Sequence, residues 1–439
     1  MEFSVTLKEW QSLGPDDDGQ GTLLRGFRFS DAQDRQLAED LTKSRLLEFR
    51  ELYNGLYIRS RSHVGRIRLG NLTVTIVPKL GIDELLTLFQ YAHGLRDLKR
   101  SSVAGYAVTG ELFQDLIIAQ LCEQVRELLD RGIARDYVPV QENLSSPRGR
   151  IDFSTLAAQS TGASATLPCR HYPRSGDHLL NQVVLAGLGL AHRMVEDRAL
   201  ASSVGRQRKR LAEYAHPVRL SSAILDQAKR ALSRLVAPYE YVMRLIEILY
   251  RGNLVDLNDD VDRAHPLPGF LFDMNRFFQA LLERFLSENL PGLHVQREYG
   301  LAEMMRYLPG HNPRQRRSPK PRPDYAITGT GRGRAPSLLD AKYRDLWEQP
   351  LPRDMLYQLS VYALSQPRGS TSAILYPTTD DAARSSRIEI REPLTGGSAG
   401  FVALRPVKLR RLVELIEADG VRGQTQREET ARELVGVVN

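Results

Sequence analysis

Cysteine is nearly absent from this chain of 439 residues, which has two, Cys122 and Cys169. They form neither a disulfide framework nor a metal-spaced cluster, so a reduced, cytoplasmic protein is expected. The nine histidines are scattered and make no zinc-ligand motif. His171 and His178 are therefore expected to pack or to cap helices. Long apolar runs are also missing. The most apolar stretch, Leu179 to Ala191, contains Asn181 and Gln182 and is too short to span a bilayer. It is expected to be a buried helix, with no membrane partner. Met1-Glu2-Phe3-Ser4 has no basic segment followed by an apolar one, so no signal peptide is expected. Gly329, Gly331 and Gly333 resemble a phosphate loop, but no Gly-Lys-Ser/Thr follows and no helix opens there. The chain is therefore not expected to bind a nucleotide itself. No internal repeat is present.

What remains is ordinary globular material. Charged residues make up 26% and hydrophobic residues 42%, and the length suits two or three domains with ample core. The net charge of +7, mostly from arginine, favours a polyanionic partner mildly.

The order of elements predicts a mixed α/β, multi-domain protein in three regions. Residues 1–165 carry early alternation at Phe3, Val5 and Leu7, then a helix near Ser30 to Leu41. A hairpin follows from Val64–Leu69 through Gly70-Asn71 into Leu72–Val77. A helix from Asp83 and a long amphipathic helix over about Gly110 to Asp130 complete this region. Residues 166–265 read as helical, with segments at Leu179–Met194, Ser221–Val236 and Tyr239–Tyr250. The basic run Arg206-Gln207-Arg208-Lys209-Arg210 is most simply a solvated helix face. Residues 266–439 read as a helix over Phe272–Leu286, a strand at Leu293–Tyr299, a Pro/Arg-rich loop and a hairpin. A helix with Tyr357-Gln358-Leu359 and three more strands follow. The last fifteen or so residues read as a frayed polar helix.

The hairpin holds the chemistry. Arg322-Pro323-Asp324-Tyr325-Ala326-Ile327 leads into a turn-rich segment, and Ser337-Leu338-Leu339-Asp340-Ala341-Lys342 returns. A hairpin of this shape can bring Asp324 and Asp340 together. Two carboxylates at one point suit a hard divalent cation, normally Mg²⁺, with Mn²⁺ able to substitute. A lysine two residues beyond an acid lies on the same strand face. Lys342 would then orient a water and offset charge on a scissile phosphate. The plain alternative is a solvated hairpin with one surface ion pair. Leu338-Leu339 just ahead of Asp340 argue instead for a buried strand.

The sequence Pro323-Asp324, spacer, Asp340-Ala341-Lys342 resembles the PD-(D/E)XK nuclease motif. The wider pattern resembles the McrC family, the nuclease subunits of McrBC-type modification-dependent restriction systems acting on methylated DNA. The segments that carry the resemblance span about residues 65 to 363. They are Gly65-Arg66-Ile67 with Leu72 to Lys79, Tyr91-Ala92-His93-Gly94-Leu95, Asp177-His178-Leu179-Leu180-Asn181 and Phe272-Asp273-Met274-Asn275. With them go Arg322-Pro323-Asp324, Leu339 to Tyr343, Tyr357-Gln358-Leu359 and Tyr362-Ala363.

The resemblance implies a domain over 1–165 that docks on a hexameric AAA+ GTPase of the McrB type and stimulates it. A helical linker over 166–265 and a PD-(D/E)XK endonuclease domain over 266–439 complete the layout, with double-stranded DNA as substrate. It implies Asp324, Asp340, Lys342 and Gln358 as catalytic residues, and Asp324, Asp340 and the Ala341 main-chain carbonyl as metal ligands. Arg314, Arg316, Arg317, Lys320, Arg322 and Tyr343 are the expected DNA contacts. One departure stands out. Gln279 follows Phe278 where family members usually carry Glu, which puts the metal affinity of the site in doubt. Glu283 lies one helical turn on and can either replace that acid or pair with Arg276 or Arg284, the second being the simpler reading. Two other classes stay open: a stand-alone DNA-repair nuclease, and a catalytically silent adaptor of the GTPase.

Overall fold

The computed structural model describes residues 2–94, 113–158, 165–195, 197–232, 237–255, 265–266, 269–302, 304–329 and 336–436. The mixed α/β, multi-domain architecture expected from the sequence is present. The chain packs as two compact units. The first gathers residues 1–64, 74–98 and 273–439, and the second 65–73 and 99–272. This partition by packing crosses the regions drawn from the sequence.

In the first unit, a small sheet runs in the order Ser12–Leu13, Gly55–Ser60, Leu47–Leu52. The Leu47–Leu52 strand is an addition to the sequence reading. Its signal was alternation at Leu47 and Phe49 ahead of the Asn54-Gly55 turn. The main element is a six-stranded sheet of β1 (Leu293–Arg297), β2 (Tyr325–Gly329), β3 (Ser337–Ala341), β4 (Thr371–Thr378), β5 (Ser386–Arg391) and β6 (Ser398–Lys408). Its order is β1-β2-β3-β4-β6-β5. The β1/β2/β3 pairings are antiparallel, and β3/β4 and β4/β6 are parallel.

Helix α1 (Met274–Asn289) leads into the sheet, and α2 (Arg353–Leu364) connects β3 to β4. The Asp273 carboxylate caps α1 by accepting from the Asn275 and Arg276 N–H groups. Phe277, Phe278, Leu281, Leu282, Phe285 and Leu286 recur at helical spacing on its buried side. A crossover helix between two parallel strands is what their connection requires. Leu359, Tyr362 and Ala363 of α2 close a core with Ala326, Leu338, Ile374, Tyr376 and Val402.

The end of the chain corrects an expectation. Gly420–Val435 is a regular helix, with Ala431, Leu434 and Val435 buried. Gly436 closes it at φ 75°, its N–H reaching the carbonyls of Arg432 and Glu433. Polar composition hid a narrow apolar face.

The second unit is mostly helical, with Phe113–Arg131, Leu179–Met194, Arg198–Ala212, Ser222–Arg230 and Pro238–Gly252. The predicted starts near Gly110 and the predicted end at Val236 fall outside the described residues, as do Gly331 and Gly333. Gly187 permits close helix packing: a Cβ there would sit 2.5 Å from Ile246. Leu167–His171 is a strand between Val140–Leu144 and Arg150–Ile151, with Cys169 opposite both Glu142 and Ile151. Among the described residues, no helix is long and apolar enough to cross a membrane.

Candidate active site

The hairpin register decides what meets. Tyr325 pairs with Leu339, Ala326 with Leu338 and Ile327 with Ser337. One further step sets Asp324 opposite Asp340. The strand ends lock there, because the Ala341 N–H donates to Asp324 Oδ2 at 2.8 Å. The Glu298 N–H donates to the Asp324 carbonyl at 3.0 Å. On β3 and its continuation, alternation puts Leu338, Asp340 and Lys342 on the face covered by α2. The Lys342 Nζ lies 2.8 Å from Asp340 Oδ2. Its backbone N–H is held by the Leu375 carbonyl at 3.0 Å, so β4 fixes the lysine's place. The opposite face carries Tyr325, Leu339, Ala341 and Tyr343 toward α1. There the Tyr325 hydroxyl donates to the Gln279 carbonyl at 2.6 Å.

Asp340 is 1% exposed, and its Oδ1 has no hydrogen-bond partner among the described residues. Burial, with the Asp324 charge adding to it, lifts its pKa to about 6 against the pull of Lys342. For Lys342, burial disfavours the ammonium. The carboxylates of Asp340, Asp324 and Asp354 outweigh it and hold the lysine above its ordinary value. The lysine therefore stays charged, and the acid beside it retains an open oxygen.

Gln358 reaches this site indirectly. Its Nε2 donates to the Tyr362 hydroxyl at 2.7 Å, and that hydroxyl donates to the Arg322 carbonyl at 2.9 Å. The chain of bonds pins the loop just ahead of Asp324. Burial, then Asp340 and Asp324, push the Tyr362 phenol up to about 12, so it remains a donor. The sequence showed Tyr362 as part of a motif and gave no sign of this anchoring role.

The other candidates divide. Glu283 pairs with Arg297 of β1 at 3.1 Å, and not with Arg276 or Arg284 of its own helix. Those two instead take Asp273 and Glu288. Burial raises the Glu283 pKa, with Arg297 opposing. Its charge acts on Tyr325, while Asp340 is shifted by Asp324 and Lys342. Among the described residues, no group of three or more His, Cys, Asp or Glu side chains is placed to hold a metal ion. Arg314, Arg316, Arg317, Lys320 and Arg322 are all exposed, on a loop braced by Asn312 through the Arg316 N–H and carbonyl. Tyr343, expected at DNA, is 4% exposed. Its ring meets Phe278 edge-on at 5.8 Å, and its hydroxyl donates to Glu9, so the structure does not bring it to the surface.

Of the two histidines expected to pack or cap, one caps a helix and the other is buried against an acid. His178 caps Leu179–Met194 by accepting from the Leu180 N–H, and His171 pairs with Glu142 at 2.7 Å.

A sequence profile described as McrBC, a 5-methylcytosine restriction system component, matches residues 58–377. No curated protein matches the sequence. Among solved structures, the chain is similar to one in a half-complex from a tetradecameric assembly of Thermococcus gammatolerans McrB AAA+ hexamers with bound McrC. The identity is 19% and the TM-score 0.64, covering 98% of this chain and 99% of that one. A second likeness is to the Thermococcus gammatolerans McrBC complex, at 20% identity and TM-score 0.47, covering 65% of this chain and 88% of that one. At the identity of the first, the likeness bears on the fold alone.

Proposed function

This chain belongs to the McrBC family of 5-methylcytosine restriction system components, and we propose that it is the endonuclease subunit of such a system. It hydrolyses phosphodiester bonds of double-stranded DNA in a PD-(D/E)XK core built on β1 to β6. The carrying observation is the end of the β2/β3 hairpin. There a buried carboxylate with an open oxygen, Asp340, is set against Asp324 and a charged lysine.

That donor set fits Mg²⁺, which is commonly held by one or two carboxylates and completes its shell with water and substrate phosphate. Asp324, Asp340 and the Ala341 carbonyl would hold it, and it would supply a polarised water and a counter-charge for the phosphate. The protein's own part is placement. The Ala341 N–H orients Asp324, and the Lys342 ammonium offers charge to the phosphate from a partly buried position. The Gln358–Tyr362–Arg322 chain holds the approach to Asp324 rigid. Glu283, engaged by Arg297, joins the ligands only on leaving that pair. The exposed arginines of the 311–322 loop supply phosphate contacts.

The partner is a hexameric AAA+ GTPase of the McrB type. The half-complex to which this chain is similar contains McrB AAA+ hexamers with bound McrC. The deciding experiment is cleavage of methylated and unmethylated plasmid by the full chain, with and without the GTPase and Mg²⁺. Cleavage that needs all three, together with methylation, is expected. Asp340→Asn is expected to stimulate GTP hydrolysis as the wild type does while cutting nothing. Cleavage without the GTPase would favour a stand-alone nuclease.

A further inference from the structure

We propose that Glu9, a residue far from the hairpin in sequence, is a positioning residue for Lys342 and acts through Tyr343. The inference rests on the nuclease reading of Asp324, Asp340 and Lys342.

Glu9 follows the strand Phe3–Lys8 in the first unit and is 2% exposed. The Tyr343 hydroxyl donates to its Oε1 at 3.3 Å across 334 residues of sequence. Tyr343 is the next residue after Lys342, and alternation sends the two side chains to opposite faces. The Tyr343 ring is seated against Phe278 of α1, beside Gln279, whose carbonyl takes the Tyr325 hydroxyl. Glu9 therefore sets the depth of Tyr343, and with it the backbone that carries the Lys342 ammonium to Asp340.

The contact costs more than a passive core contact would. Glu9 Oε2 is buried without a hydrogen-bond partner among the described residues, and so is the indole Nε1 of Trp10. Trp10 holds φ at 61°, a left-handed backbone that a bulky residue seldom adopts. The Arg344 guanidinium lies 5.7 Å over its ring. Glu9 and Trp10 border a cavity of about 20 Å³, also lined by Lys79, Tyr343, Asp345 and Thr378. That is room for about one water bridging donor and acceptor. An apolar residue in place of Glu9 would avoid an unsatisfied carboxylate. It could not hold the Tyr343 hydroxyl.

Among the described residues, the titratable groups facing Glu9 are few. Lys79 comes from the segment after Leu72–Val77 and is itself paired with Glu348 at 3.4 Å. Tyr343 and Asp345 come from the segment after β3. Burial pushes the Glu9 pKa up to about 7, with Tyr343 and Lys79 opposing.

The test is plasmid cleavage by the full chain with its GTPase and Mg²⁺, measured as kcat, KM for DNA and pH profile. Glu9→Ala and Tyr343→Phe are expected to lower kcat roughly tenfold with KM nearly unchanged. Glu9→Gln keeps an acceptor for Tyr343. It is expected to recover much of the Glu9→Ala loss, and to remove an inflection near pH 7 from the wild-type profile of kcat. A purely structural contact would lower stability without moving that profile. Wild-type kcat in folded Glu9→Ala and Tyr343→Phe would overturn the proposal. If those variants do not fold, an unchanged inflection in the nearly isosteric Glu9→Gln overturns it equally. Asp340→Asn runs beside them: wild-type cutting by that variant would overturn the nuclease reading itself.

Discussion

Two polar segments that look alike in sequence behave in opposite ways in the fold. In Asp177-His178-Leu179-Leu180-Asn181 the polar side chains are consumed by structure. Asn181 Nδ2 donates to the carbonyls of Ala134 and Gly176, and its Oδ1 accepts from the Tyr239 hydroxyl. The His178 ring caps its helix and meets the Ala134 carbonyl at 3.0 Å. Asp177 accepts from Gln182 and from the His216 N–H, and these bonds draw its pKa down to about 2. In Asp340-Ala341-Lys342 the reverse holds. A carboxylate lies buried with an oxygen open and its pKa lifted to about 6. A satisfied polar cluster specifies a fold, whereas an unsatisfied one stores the capacity to bind. Both segments resemble the family. Their hydrogen-bond partners separate the two in the structure.

The largest effect should come from breaking the unsatisfied cluster. Asp340→Asn is expected to reduce cleavage by at least about a thousandfold, as removal of a charged ligand from a two-carboxylate site implies. Thermal stability should hold or rise at neutral pH, since burial already disfavours the Asp340 charge and lifts its pKa to about 6. Asp324→Asn and Lys342→Ala should follow in activity. A variant that unfolded instead of merely going silent would make the hairpin a structural ion-pair cluster after all.

The converse change is Asn181→Ala in the satisfied cluster. It removes the acceptor of the buried Tyr239 hydroxyl and one of two donors from each of the Ala134 and Gly176 carbonyls, which should cost about 2 kcal/mol in urea unfolding. The folded fraction should cut DNA normally. An activity loss out of proportion to the unfolded fraction would erase the contrast between the two segments.

The sequence was most legible where chemistry is local. The β2/β3 hairpin, the meeting of Asp324 with Asp340 and the capping role of His178 could all be read from patterns a few residues long. What it hid was long-range. Nothing near Tyr343 announces Glu9, which lies 334 residues away. Nothing on α1 announces that Glu283 turns to Arg297 and passes over its own helix. Leu167–His171 reads as part of a helical region because its hydrogen-bonding partners, Val140–Leu144 and Arg150–Ile151, lie before an intervening segment. That strand also bears on dissection. A fragment ending near Ala165 would remove it from its sheet, and would part residues 1–64 from 273–439, with which they form one unit. The division between partner docking and cleavage is therefore better tested by point variants in the full chain.

Glu9 supplies an intermediate case, a buried acid whose Oε1 accepts from Tyr343 while its Oε2 has no hydrogen-bond partner among the described residues. Its folded pKa of about 7 stands above the unfolded value of 4.5. The unfolded chain thus releases its proton first as pH rises. Its contribution to stability is retained below about pH 4.5 and is lost as pH climbs through about 7. Glu9→Gln should therefore gain on the wild type between pH 5 and pH 8, by about 2 kcal/mol or somewhat more. Denaturant midpoints at the two pH values measure this. A constant difference would mean that Glu9 ionises freely.

The smallest effect belongs to charges with neither kind of commitment. Arg314, Arg316 and Arg317 stand exposed on the loop that leads to Asp324. Reversing all three should leave unfolding free energy within about 0.5 kcal/mol, since surface charges contribute little to a fold. On the proposed function, their value lies in counterions displaced from DNA. If each meets one phosphate, the slope of log binding constant against log salt should shrink by about 3, and affinity near physiological salt should fall by about tenfold or more. Binding of a short duplex across a salt series reads both quantities. An unchanged slope would place the DNA path elsewhere and leave the loop a solvated connection. A lost slope with stability intact would complete the contrast, separating polar groups spent on the fold from those left free to meet a polyanion.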